Sequence, residues 1–118
     1  MQMNDQILTI VSKYLSEEQK KGAIIYLNKK IFKAKTKIRI GTIYREMPFC
    51  GYRVFIDLVP KANWGHPTLY LLIDEKIQQV EIIENEFPPW EELPIDEFVL
   101  LRYGRDPPHG RYVEVYND

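Results

Sequence analysis

The segment YRVFIDLVP, residues 52–60, constrains this chain most. Tyr52, Val54, Ile56 and Leu58 point one way along an extended strand, and Arg53, Phe55, Asp57 and Val59 point the other. Apolar bulk on both faces places the strand in the middle of a sheet. Arg53 and Asp57 share a face at even spacing, so they read as solvent-facing residues at the strand ends or as pocket residues.

Other period-two runs surround it. FKAKTKIRI, residues 32–40, sets Phe32, Ala34, Thr36, Ile38 and Ile40 against Lys33, Lys35, Lys37 and Arg39. Gly41 interrupts the alternation and marks a bulge before TIYREM. TLYLLID (68–74) and IQQVEIIE (77–84) read as two strands joined around Glu75 and Lys76. FVLLRYG and RYVEVY close the chain as further strands, after the acidic, Pro-rich connection NEFPPWEELPIDE.

Residues 4–20 read as a helix with the apolar stripe Ile7, Leu8, Val11 and Leu15. Ser16 followed by Gln19 offers a capping box at which the helix breaks and restarts. Residues 22–31 are compatible with a helix or with a hairpin turning at LNKK, and the strand-forming Ile24, Ile25 and Tyr26 favour the hairpin. The expectation is one α+β domain over residues 1–118. A helical region (4–20) packs on a largely antiparallel sheet of about five to seven strands that begins near residue 23 or 32 and runs to 116.

With 45% apolar and 28% charged residues, the composition is that of an ordinary globular domain. No apolar run approaches the roughly 20 residues of a membrane helix. MQMNDQILTI does not resemble a signal peptide, and Cys50 is the single cysteine, so a cytoplasmic protein away from membranes is expected. The net charge of −1 conceals an asymmetry: residues 1–62 carry twelve Lys or Arg against five Asp or Glu, and residues 63–118 carry four against twelve. Either the halves neutralise each other, or one basic face meets an anionic partner.

The candidate chemistry lies in two loops. NWGHP (63–67) combines Asn63, Trp64 and His66 with a turn-forming Gly65 and Pro67. RDPPHGR sets Arg105, Asp106, His109 and Arg111 in a similar context. If the loops meet, Arg53, Asn63, Trp64, His66, Arg105, His109 and Arg111 form a ligand-binding set, with His66, His109 and Asp57 as catalytic candidates toward a phosphate-like anion. His66, His109, Asp57 and Cys50 have metal-donor chemistry but no ligand spacing, so no metal is assigned. There is no Walker loop, dinucleotide fingerprint, zinc pair or serine elbow, and no cofactor is assigned. The acidic connection reads equally as a flap whose aromatics plug the core end or as a docking surface for a basic protein partner with Trp90 as anchor.

Lys33, Lys35, Lys37 and Arg39, about 7 Å apart along one strand face, would track a phosphate backbone. That face shows no interleaved aromatic, and the near-neutral total argues against a dedicated nucleic-acid binder. The favoured reading is a small interaction module contacting a protein or a small anionic ligand through Trp64, His66 and His109. A hydrolase or phosphoesterase using His66 and His109 is the alternative, and nucleic-acid binding through the Lys33–Arg39 stripe is another. No signature decides for an enzyme, and the balance falls on binding.

Overall fold

The computed structural model describes residues 3–28, 30–63, 65–89 and 98–103. Among these residues two short helices precede seven strands: α1 (Met3–Ser12), α2 (Glu17–Gly22), β1 (Ile24–Asn28), β2 (Lys37–Ile40), β3 (Ile43–Glu46), β4 (Gly51–Asp57), β5 (Thr68–Asp74), β6 (Val80–Asn85) and β7 (Phe98–Leu101). Five strands form one antiparallel sheet in the order β6-β5-β4-β1-β7, and β2 and β3 form a separate hairpin. The architecture is α+β. No helix among the described residues is long and apolar enough to cross a membrane.

The helical stripe breaks where its capping box lies. Ser16 Oγ accepts from the Gln19 amide at 3.1 Å, and the Ser16 amide donates back to Gln19 Oε1 at 2.8 Å. Two otherwise orphaned amides at the start of α2 are thereby satisfied. Ile7, Val11 and Leu15 pack on one face of the sheet against Ile25, Leu27, Val54, Ile56, Leu71 and Ile73. At the far end, the Tyr103 hydroxyl donates to the Leu8 carbonyl at 2.7 Å, and burial pushes that phenol above its ordinary range.

The opposite face carries Tyr26, Phe55, Tyr70 and Leu72, covered by Phe32, Met47 and the hairpin residues Ile38 and Ile40. Cover on both sides explains why β4 is apolar in both directions and buried along its whole length. An aromatic row crosses the sheet here. Phe55 lies 5.0 Å from Tyr70 and 5.6 Å from Tyr26, and Tyr26 meets Phe98 edge-on at 6.1 Å. Each such pair adds about 0.5–1.5 kcal/mol beyond simple burial.

Residues 22–31 correct the expected hairpin. Ile24–Asn28 is a strand, but its partners are β4 and β7, with Ile25 opposite Ile56 and Leu101. It does not fold back on residues 32–40. Between β1 and β4 the chain instead makes an excursion, the β2–β3 hairpin, across the sheet face.

The run 32–40 is also corrected. Only Lys37–Ile40 is strand. Phe32 makes an isolated bridge to Gly51, and Lys35 adopts a left-handed φ of 70° where its amide reaches the Met47 carbonyl. Ala34 and Thr36 are exposed, not buried. Gly41 lies in the β2–β3 turn, not at a bulge.

Gly51 faces a different demand. A β-carbon there would run into the backbone carbonyl of Ile73 on β5, and that backbone is fixed by the β4–β5 ladder. Gly51→Ala is therefore expected to lower the urea unfolding midpoint by the equivalent of about 1–3 kcal/mol. A variant with wild-type stability would show that the strands separate there without penalty.

The β5–β6 turn is organised by Asp74, whose Oδ1 accepts from the Gln78 and Gln79 amides at 2.5 and 2.6 Å. The Gln79 amide chiefly holds this carboxyl below its usual range, with burial opposing. β6 consequently begins at Val80, three residues later than the alternation suggests.

Candidate functional site

Asp57 ends β4 and Thr68 opens β5, and the two are directly paired across the ladder. The ten residues between them include NWGHP. Asp57 is fully buried, and its Oδ1 accepts from the Val59 amide at 3.1 Å and from His66 Nε2 at 2.7 Å. His66 Nδ1 donates to the Asn63 carbonyl at 2.7 Å. Gly65, at φ 96°, turns the loop and donates its amide to the Glu86 carbonyl just beyond β6. The loop is thus fastened to β4 by an imidazole and to β6 by a backbone bond.

Both ring nitrogens of His66 face acceptors, a carbonyl and a carboxylate. Both nitrogens are thereby engaged within the protein. Sequence reasoning grouped both residues with His109 as catalytic candidates, without a direct bond between His66 and Asp57. The signal for their meeting was the short loop that returns the chain beside the end of β4.

Next to this dyad lies an open cleft of about 520 Å³. Tyr14 and Gln19 border it from the helical layer, Leu58 and Leu69 supply apolar wall, and Pro67 and Glu86 close the loop side. Thr68 also belongs to its wall, and its buried hydroxyl has no hydrogen-bond partner among the described residues. Tyr14 and Gln19 were not anticipated, because neither falls on the apolar stripe of the helical region.

Arg53, expected to contact ligand, lies elsewhere. It is fully buried beneath the hairpin, where Nε donates to Asn28 Oδ1 at 2.9 Å and Nη1 to the Arg39 carbonyl at 2.7 Å. Its guanidinium sits 5.2 Å from the Phe32 ring centre. Cys50 is half-buried, and its Sγ accepts from the Ala34 amide at 3.4 Å. Among the described residues no three His, Cys, Asp or Glu side chains converge as a metal site. Trp64, Trp90, Arg105, Asp106, His109 and Arg111 lie outside the described residues, and the proposed meeting of the two histidine loops lies there with them.

Lys33, Lys35 and Lys37 are exposed and Arg39 is half-buried. The left-handed turn at Lys35 means that they do not form the evenly spaced row of a single strand.

No family model, curated protein or solved structure matches the chain.

Proposed function

We propose that this chain is a small binding module whose ligand seats in the cleft beside loop 63–67. The observation that carries this reading is the cleft itself. It joins apolar wall from Leu58, Pro67 and Leu69 to the polar side chains of Tyr14, Gln19, Thr68, Glu84, Asn85 and Glu86, so a ligand there meets both apolar contact and hydrogen-bonding groups. The latched loop supports the same reading, because His66, bonded at both ring nitrogens, holds Pro67 in place. The hydrolase alternative gains nothing from this arrangement.

The cleft also favours a protein segment over a small anion. Glu84 and Glu86 stand on its rim, and the hydroxyl and amide groups of Tyr14 and Gln19 suit a peptide backbone. A panel of N-acetylated tripeptides with basic, neutral and acidic side chains tests this by ligand-observed NMR. At least the basic or neutral peptides are expected to bind. Glu86→Trp, an exposed position that fills the cleft mouth, is expected to weaken them at least tenfold without lowering Tm. Peptides that bind the blocked variant equally well, or none that binds the parent, would refute the assignment.

A further inference from the structure

The β2–β3 hairpin has a second face, turned away from the sheet. Cross-strand register sets Ile38 opposite Arg45 and Ile40 opposite Ile43 on one side, and Lys37 opposite Glu46 and Arg39 opposite Tyr44 on the other. Ile38 and Ile40 are buried against the sheet, so the second set faces outward. Tyr44 is 60% exposed, the highest value among the large apolar and aromatic side chains described. The Arg39 guanidinium lies 5.6 Å from its ring centre, and Arg39 Nη1 donates to its hydroxyl at 3.5 Å. Arg39 is itself anchored, through Nε, to the Gly41 carbonyl at 2.6 Å. An exposed ring is therefore held in a fixed attitude on a basic surface.

Lys33 and Lys35 are exposed in the segment that leads into β2, and exposed Lys37 opens that strand opposite Glu46, the single carboxylate on the hairpin strands. The linear sequence shows only the cations. The turn at Gly41 brings the aromatic opposite Arg39, two residues along β2 from Lys37.

We propose that this outer hairpin face docks single-stranded nucleic acid, with Tyr44 as the stacking platform and Lys33, Lys35 and Lys37 as phosphate contacts. Cations alone would suit any polyanion. A fixed, largely exposed aromatic on the hairpin adds a partner for a π-face, which every base has and aspartate or glutamate side chains lack. The surface is independent of the cleft, so either assignment can fail without the other.

Fluorescence anisotropy with labelled 12-mers of oligo(dT) and oligo(rU) tests this. Three phosphate contacts predict that affinity falls about 20-fold between 50 and 200 mM salt, from a slope of roughly −0.7 per contact. Tyr44→Ala is expected to weaken binding about tenfold or more while Tyr44→Phe retains it, because stacking uses the ring and not the hydroxyl. Tm measurements on both variants confirm that the fold is intact. Absence of binding at 50 mM salt overturns the proposal. Binding that Tyr44→Ala leaves unchanged, or that a poly-glutamate 12-mer competes as well as unlabelled oligo(dT), overturns it too, since a surface for acidic polypeptide gives that result.

Discussion

Asp57→Ala is expected to destabilise the protein by about 1–3 kcal/mol for each of the two buried groups it leaves without an acceptor, the His66 ring and the Val59 amide. The Asp57 side chain is fully buried, and His66 is 8% exposed. Without the carboxylate, the His66 ring loses its Nε2 partner. The Val59 amide loses its acceptor at the same time. His66→Ala is expected to cost less, since Asp57 keeps the Val59 amide and can reach solvent through the space the ring vacates. In a double-mutant cycle the paired variant should fall well short of the sum of the singles, with a coupling of about 0.5–3 kcal/mol. Urea denaturation of the four proteins measures all of this. An Asp57→Ala loss below 1 kcal/mol, or additive single effects, would show that the dyad does not fasten the loop.

The same pair shows what the sequence discloses and what it withholds. Period-two alternation located β4, β5 and β6 because those strands pair with their neighbours in the chain, through the register Thr68 opposite Asp57 and Asn85 opposite Thr68. The central position of β4 followed from its two apolar faces. β1 was ambiguous because Ile24, Leu27 and Ile31 also fit helical spacing, and its partners lie far along the chain. Ile25 meets Ile56 and Leu101, contacts that no local pattern encodes. At the site, residue chemistry pointed to Asp57, Asn63 and His66. Their mutual geometry depended on the left-handed turn at Gly65 and the tie to Glu86. Tyr44 was passed over for a related reason. Its neighbour Arg39 is five residues away, and only a turn at Gly41, in place of a bulge, sets them side by side.

Arg53→Ala should reach a comparable cost, about 3–5 kcal/mol, by a different route. The truncation opens a void under the hairpin where a long side chain filled the space against Phe32. It also strips a charged donor from Asn28 Oδ1 on β1 and from the Arg39 carbonyl on β2. Buried acceptors left in this way cost about 1–3 kcal/mol each. Arg53→Met separates the two contributions, since it restores most of the volume and none of the donors. If packing dominates, Met should recover more than half of the loss. If the hydrogen bonds dominate, Met should remain close to Ala. Location supplies a second readout, because Arg53 is one of the groups that ties the hairpin to the sheet. Amide exchange at Lys37–Ile40 should accelerate in both variants before exchange in the β4–β5 ladder does. Uniform acceleration across both elements would mean that the hairpin has no separate opening and that Arg53 supports the sheet as a whole. Selective opening would make the hairpin a distinct unit, and Tyr44 and the lysines would then lose their fixed arrangement while the cleft beside His66 kept its shape.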